Sequence, residues 1–289
     1  NRIGVSPAGN LPAPNQEYGI FVKGSPGNVI IGGAAAGEGN LIAANGSAGI
    51  AIDQSAGTIV TGNWMSTSAT GGGFIANPYV SGGLDILVAD SQDITIGGET
   101  AAEGNVLLQG LAFTTAGQTG VTLSKVGHNR VGLDALGFEH AAWPGSVGLR
   151  FNAADDAYVW ANQVTGFETG IQVEDGSTAA LSRNEVWNNA GLGIDLLGPV
   201  PGVTPNDPLD ADNGPNGLQN FPLIQQVNAH GAGQERKLDV AGSIQTTPNT
   251  GLRIEQKQQT AYADIFFPPS ASQRRNSVGI MAQATDIQG

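Results

Sequence analysis

A short acidic segment carries the densest set of hard oxygen ligands in this sequence. Three carboxylates and two amide side chains fall within eight residues: Asn206, Asp207, Asp210, Asp212 and Asn213. Oxygen ligands at this density suit Ca²⁺. The spacing is not that of an EF-hand, because Gly214 takes the place of a ligand and no Glu closes the loop. The segment predicts a structural calcium site; the alternative is a solvated acidic turn.

Asp85, Arg150 and Glu174 form the best catalytic constellation that the sequence offers. Each falls at a position that the repeat described below would direct outward. Polysaccharide-cleaving sites need two converging carboxylates, or an Asp-bound Ca²⁺ beside a basic side chain. Arg150 and Glu174 would lie one repeat apart, at about 5 Å, and Asp85 two repeats from Arg150. The alternative is that these charges only keep the face soluble.

Two tryptophans, Trp64 and Trp187, are candidate glycan contacts. Each follows an Asn of the repeat closely, so the two indoles could belong to one aromatic column on the surface. An aromatic ring combines a large apolar face with a polar edge, which suits the stacking of a sugar ring. The alternative is that each indole packs at a corner or in the core.

A recurring Gly-apolar-x-apolar unit must position all of these residues. Seven copies of the unit are present: 19–22, 49–52, 83–86, 120–123, 148–151, 170–173 and 193–196. The last two intervals are 22 and 23 residues. Short strands that alternate inward and outward side chains, three to a coil, bury their inner faces only by stacking coil on coil. The repeat predicts an all-β, right-handed parallel β-helix of about seven coils.

A second feature of the repeat is an Asn thirteen residues after the first apolar position. It occurs at Asn63, Asn162 and Asn184. Asn at equivalent corners can adopt left-handed conformations and stack into amide ladders. The Gly that opens each unit is expected to supply backbone angles that other residues resist.

At these residues the chain resembles bacterial right-handed parallel β-helix repeat proteins, which occur in large secreted or surface-attached polypeptides. The repeat covers residues 1–220, and its sharpest stretch, 184–222, resembles the end of such a helix leading into a β-sandwich-like module. Residues 242–255 and 282–286 resemble early and late strands of that module. The resemblance implies an extracellular or cell-surface protein with an adhesive or scaffolding role. A polysaccharide lyase, hydrolase or epimerase on the helix face is the alternative.

Composition supports a boundary near residue 220. The chain has 289 residues, 25 acidic and 12 basic, for a net charge of −13. Up to residue 229 there are 20 acidic and 6 basic residues, a balance of −14; the remainder has 5 and 6, a balance of +1. We therefore predict a parallel β-helix over 1–220 and a small, Ig-like β-sandwich over 221–289, reduced relative to related modules.

The charge and the apolar pattern also exclude some partners. An acidic surface opposes binding to nucleic acid phosphates and to anionic membranes. No apolar run has the length of a membrane span, and the absence of Cys excludes disulfides and thiolate sites. The sequence opens in the middle of a repeat, so we expect Ile3, Ile20 and Val22 to form an open first coil that associates with another β-structured segment.

Overall fold

The structure is a computed structural model that describes residues 1–78, 83–117, 119–140, 144–199, 202–230, 237–245, 251–258, 261–266 and 275–277. These residues form β-strands and irregular segments, with one 3₁₀ turn at Pro215–Leu218. Within them, no helix has the length and apolar character needed to cross a bilayer. The predicted all-β class is confirmed.

Three long parallel sheets contain most of the strands. Sheet 1 consists of seven strands: β1 (Arg2–Ile3), β4 (Leu41–Ile42), β7 (Trp64–Met65), β10 (Val106–Leu107), β14 (Arg130–Val131), β18 (Gln163–Thr165) and β21 (Glu185–Trp187). Sheet 2 also has seven: β2 (Tyr18–Lys23), β5 (Ala48–Asp53), β8 (Leu84–Ala89), β11 (Leu111–Thr114), β15 (Val147–Phe151), β19 (Thr169–Val173) and β22 (Ile194–Leu196).

Sheet 3 completes the set with six strands: β3 (Ile30–Gly32), β6 (Ile59–Thr61), β9 (Thr95–Gly97), β13 (Lys125–Gly127), β17 (Ala157–Trp160) and β20 (Ala179–Ser182). The chain visits sheets 1, 2 and 3 in turn, and each strand pairs with the strand one visit later. We call one such passage a coil. A small parallel pair, β12 (Val121–Thr122) and β16 (Ala154–Asp155), lies at a corner. This stacking of parallel sheets is compatible with a parallel β-helix.

The core lies between the sheets, and the alternation of side chains builds it. In sheet 2 one inward column is formed by Ile20, Ile50, Ile86, Leu111, Leu149, Ile171 and Ile194. The rings of Phe113 and Phe151 stack in the adjacent column with centroids 5.2 Å apart. Because each inward side chain lies over its equivalent on the next coil, one continuous apolar core results.

The fourth repeat unit differs from the one expected. Val121–Thr122 pairs with β16 in the small corner sheet, and the strand that fills its place in sheet 2 is Leu111–Thr114. Gly110-Leu111-Ala112-Phe113 also matches the Gly-apolar-x-apolar pattern. Two matches ten residues apart cannot be separated by alternation alone, and stacking on β8 and β15 selects the earlier one.

Most glycines of the repeat have ordinary backbone angles and allow the close approach of successive coils. Among Gly19, Gly49, Gly148, Gly170 and Gly193, none has a positive φ. A Cβ on Gly170 would lie 2.5 Å from the carbonyl oxygen of Gly193 and 2.6 Å from Cγ1 of Val186. The expectation that the repeat glycines supply unusual φ angles is therefore wrong for these five, and it holds for Gly120, whose φ is 72°. At Gly170 the next coil leaves no room for a side chain.

The predicted amide ladder is present and longer than expected. Seven side chains form it, each Nδ2 donating to the Oδ1 of the next at 2.7 to 3.0 Å: Asn1, Asn40, Asn63, Asn105, Asn129, Asn162 and Asn184. None of the seven has a positive φ. The left-handed conformation falls instead on the preceding residue at Gly62, His128, Ala161 and Arg183, which turns the corner and leaves the Asn amide pointing inward.

Strand pairing changes character after sheet 2 ends. β23 (Leu223–His230) and β24 (Lys237–Ser243) are antiparallel, as are β25 (Gly251–Gln258) and β26 (Ala261–Phe266), while β27 (Arg275–Ser277) is parallel to β25. Residues 282–286, which resemble a late strand of the module, lie outside the described residues. The boundary at residue 220 and the sandwich-like character of 221–289 stay predictions.

At the other end, the first strand of each sheet pairs on one side within the described residues: β1 with β4, β2 with β5, and β3 with β6. Ile3 and Ile20 pack against the core and are only partly buried. Association through Ile3, Ile20 and Val22 stays a prediction.

Candidate functional site

Arg150 and Glu174 come together on the outward face of sheet 2, as the sequence predicts. Arg150 lies on β15 and Glu174 directly follows the neighbouring strand β19, and Nε of Arg150 is 3.3 Å from Oε1 of Glu174. That Nε has no hydrogen-bond partner, so the contact is an ion pair without aligned hydrogen-bond geometry. The other oxygen, Oε2, accepts a hydrogen bond from Nδ2 of Asn152. The carboxylate is therefore engaged through both oxygens.

Asp85 does not join this pair, and its expected outward position is wrong. The register of β8 places Ile86 opposite Ile50 and Leu87 opposite Ala51, so Asp85 falls opposite Gly49, in the column of glycines. The Asp85 side chain is fully buried. Leu84, Ile86 and Val88 alternate, and a register shift of two residues keeps the inward face unchanged. The apolar pattern therefore could not fix which residue of this strand replaces the repeat glycine.

A buried polar network surrounds Asp85. Its Oδ1 is 2.6 Å from Oγ of Ser66 and 3.3 Å from Nδ2 of Asn77. Its Oδ2 accepts a hydrogen bond from the backbone N–H of Gln109 at 2.8 Å. All four side chains are buried, Gln109 being the most accessible at 3%. The network joins the end of β7, the segment before β8, β8 itself and the segment before β11.

Burial dominates the electrostatics of Asp85. Desolvation raises the pKa of its carboxyl from 3.8 to about 7, and the hydrogen bonds from Gln109 and Ser66 oppose that rise only in part. A charged carboxylate in an apolar interior lacks the solvation of water, so the neutral acid is favoured. Sequence reasoning missed Ser66, Asn77 and Gln109, because the links from sheet 1 to sheet 2 that contain them differ in length from coil to coil.

The acidic loop brings together all three predicted calcium ligands. Oxygen atoms of Asp207, Asp210 and Asp212 lie within 4.8 Å of one another, and each residue is partly buried. Two hydrogen-bonded pairs hold the loop to the following segment. The amide of Asn206 exchanges hydrogen bonds with the backbone of Phe221, and that of Asn220 does so with the backbone of Asp207.

The three carboxylates differ in the partners that they have. Asp207 accepts from the backbone N–H of Ala211, and Asp210 accepts from that of Asn220 at 2.6 Å. Oδ1 of Asp212 is buried and has no hydrogen-bond partner. Burial and then the charges of Asp207 and Asp210 raise the pKa of Asp212. A cation among these oxygens would offset that repulsion and supply the missing partner of Oδ1.

The two tryptophans occupy different columns of sheet 1. Trp64 lies on β7 between Leu41 and Val106 and is 40% exposed. Trp187 lies four strands away on β21, aligned with Thr165, and its Nε1 donates to Oε1 of Glu139 at 2.5 Å. They do not form one aromatic column. Trp64 presents an open indole, whereas Trp187 joins a strand to a neighbouring loop.

A scan against protein-family models finds no match to this chain, and a search of curated proteins finds none either.

Proposed function

We propose that this chain is a non-catalytic structural or adhesive scaffold, such as a component of a stalk, matrix or filament, that works outside the cell or on its surface. One observation carries the proposal: the charges that would perform catalysis are not free to do so. Arg150 and Glu174 engage each other, and Asp85 is buried away from them. General acid–base cleavage needs a group that can reach its substrate with a usable proton or lone pair.

The architecture fits a scaffold. We propose a right-handed β-helix of about seven coils over 1–220 followed by a β-sandwich-like module over 221–289. Columns of backbone and amide hydrogen bonds run along the coil stack. In such a quasi-one-dimensional stack each coil contacts only its neighbours. The extracellular or surface location rests on the resemblance to bacterial secreted repeat proteins.

Incubation with polyuronates and neutral polysaccharides tests the non-catalytic role. We expect no new reducing ends and no unsaturated products over many hours. Cleavage that disappears in the variant Glu174→Gln would overturn the proposal and would establish the alternative, a polysaccharide-acting enzyme. Asp156→Asn, at an exposed corner, is the matched control for loss of a surface carboxylate.

A structural Ca²⁺ at Asp207, Asp210 and Asp212 is the second part of the proposal. Three carboxylates within 4.8 Å and the unpartnered Oδ1 of Asp212 support it, because Ca²⁺ takes six to eight oxygen ligands and accepts irregular geometry. The ion would fasten the loop that follows β22, the last strand of sheet 2.

Thermal unfolding with and without a calcium chelator tests this site. Ca²⁺ at about 100 times its Kd would stabilise the folded state by about 2.7 kcal/mol, so the chelator should lower the Tm. Asp210→Ala should abolish the difference, and Asp156→Asn should retain it. An unchanged Tm in the native chain after chelation would remove the calcium site.

Glycan contact is the third part, and Trp64 is its candidate. The exposed indole favours stacking on a sugar ring, while the Nε1 of Trp187 is already bound to Glu139. Affinity electrophoresis in polysaccharide gels should show a retardation that Trp64→Ala removes and Trp187→Phe preserves. Equal retardation of all three proteins would exclude Trp64 as the contact.

A further inference from the structure

The Asp85 network lies at the root of an insertion. The chain leaves sheet 1 at Ser66 and enters β8 at Leu84. Asn77, within the intervening segment, donates to Oγ of Ser66 at 3.1 Å and to the carbonyl oxygen of Leu84 at 3.1 Å. Asp85 therefore contacts both the residue where the insertion departs and a residue near its return, and it is the one non-glycine in its column of sheet 2.

Ser66 makes two short oxygen–oxygen contacts, and both can be hydrogen bonds only if one extra proton is present. Oγ of Ser66 is 2.6 Å from Oδ1 of Asp85 and 2.7 Å from Oε1 of Gln109. Both of those atoms are acceptors, and a Ser hydroxyl has a single proton. The amide of Gln109 cannot be reversed, because Oε1 accepts from the backbone N–H of Asn77 and Nε2 donates to the carbonyl oxygen of Asn77.

A carboxylic acid at Asp85 supplies that proton. The acid donates to Oγ of Ser66, and Ser66 then donates to Oε1 of Gln109. Oδ2 of Asp85 keeps its hydrogen bond from the backbone N–H of Gln109. With an ionised carboxylate, one of the two short contacts of Ser66, to Asp85 or to Gln109, would bring two buried oxygen atoms together with no proton between them, which is costly in an interior of low dielectric.

The surroundings offer Asp85 no countercharge. Among the described residues of 64–78, 83–89 and 105–114, Asp85 is the only titratable side chain. Asp53, at the end of the facing strand β5, is paired with Lys23 at 3.0 Å. The causes that raise the pKa of Asp85 include no charged neighbour, so burial and hydrogen bonding alone decide its protonation.

We propose that Asp85 is a proton-dependent latch, a neutral carboxylic acid that holds together the two ends of the insertion between Ser66 and Leu84. The latch is closed in acid and loosens as the pH rises towards neutral. Opening it exposes the Asp85 carboxyl to water and releases Asn77. The hairpin before Asn77, in which Thr67 pairs with Phe74, is hydrogen-bonded to its neighbours through Ala69 to Gly9 and through Ala135 to Gly71.

The sign of the pH dependence follows from linkage. In the closed state Asp85 keeps its proton up to about pH 7, whereas in the opened state it would lose the proton near its ordinary value of 3.8. The closed state therefore binds more protons between these values. The equilibrium constant that favours the closed state over the opened state falls tenfold for each unit of pH. The full advantage is present below pH 4 and is lost by about pH 7, a change of about a thousandfold.

Hydrogen exchange of the full chain, measured site by site, tests the latch against Asp85→Asn. An Asn at this position keeps a donor towards Ser66 at every pH. The backbone N–H groups of Asn77 and Gln109 should lose protection in the native chain, relative to the variant, by up to about a thousandfold between pH 4 and pH 7. Above pH 7 the ratio of protection in the native chain to protection in the variant should stay constant. A ratio that stays constant from pH 4 to pH 7 would overturn the proposal.

A direct titration keeps the proposal testable if Asp85→Asn does not fold. In the native chain labelled with ¹³C at Asp carboxyl carbons, the Asp85 signal is identified through its hydrogen bond from the Gln109 N–H. It should keep the chemical shift of a neutral acid past pH 6. A midpoint near 3.8 in the folded protein would show that the carboxylate is ionised at neutral pH and that no latch exists.

Discussion

The Asn ladder and the Asp85 network bury polar groups in the same stack by different means. In the ladder, each amide accepts at Oδ1 and donates at Nδ2, so adjacent coils satisfy each other without a charge: Asn129 accepts from Asn105 and donates to Asn162. In the network, a carboxyl replaces the repeating glycine and meets Ser66 and Gln109. Repeated neutral amides therefore remain buried independently of pH, whereas the burial of a single carboxyl depends on a proton.

The largest expected effect comes from placing a carboxyl, as in the Asp85 network, within the Asn ladder. Nδ2 of Asn129 donates to the carbonyl oxygens of Ile96 and Gly127 and to Oδ1 of Asn162. In Asn129→Asp a carboxylate oxygen would face these three acceptors. We expect a loss of roughly 3–5 kcal/mol at neutral pH, the cost of an uncompensated buried charge. The variant should recover part of this stability in acid, because burial raises the pKa of the new carboxyl.

Denaturant unfolding at pH 4 and pH 7 measures this difference. Asn184→Asp is the matched control, because within the described part of the chain the Nδ2 of Asn184 donates only to the carbonyl oxygen of Val159 and its side chain is slightly accessible. It should lose less stability at both pH values. Equal losses by Asn129→Asp at the two pH values would contradict the comparison.

A smaller effect is expected at the glycine column, which sets the close approach of successive coils. In Gly170→Ala the new methyl would lie 2.5 Å from the carbonyl oxygen of Gly193, and a shift of the backbone would cost about 2 kcal/mol. Gly193→Ala is the matched control, since its Cβ would meet only Cγ1 of Val186 at 3.4 Å. The control should change stability by less than about 1 kcal/mol, through the unfolded state alone.

Unfolding free energies of the two alanine variants decide this point. Similar values for Gly170→Ala and Gly193→Ala would show that crowding is not the reason for glycine in this column. The same measurement tests the position of Asp85. If crowding explains the glycine column, the coil of Asp85 must leave space for a side chain that the neighbouring coils do not.

The sequence predicts much of the fold because the repeat is a local pattern. Alternation around Ile50, Leu149 and Ile171 identifies the inward face, and Asn63, Asn162 and Asn184 identify the ladder. Asn40, Asn105 and Asn129 belong to the same ladder and escape the pattern, because insertions of different length change their distance from the preceding strand.

The candidate sites also differ in how far the local sequence determines their geometry. Asp207, Asp210 and Asp212 are close in sequence, so the loop brings them together whatever the packing. Arg150 and Glu174 fall in repeats of nearly constant length, and the ion pair follows from the register. The prediction for Asp85 fails because the apolar pattern of its strand is unchanged by a register shift of two residues. Only the pairing with β5 and β11 places Asp85 in the glycine column.

The smallest expected effect is at Arg150 and Glu174, which extends the comparison to charges at the surface. Arg150 has 43% of its side chain exposed and Glu174 has 16%, so water and salt screen the pair. A double-mutant cycle of Arg150→Gln and Glu174→Gln should give a coupling of about 0.5 kcal/mol. Raising the salt concentration to about 1 M should remove most of it, because screening shortens the range of such interactions to about 3 Å. A coupling above about 2 kcal/mol that resists salt would mean that this pair behaves as a buried one. The contrast between a screened surface pair and the proton-dependent carboxyl of Asp85 would then fail.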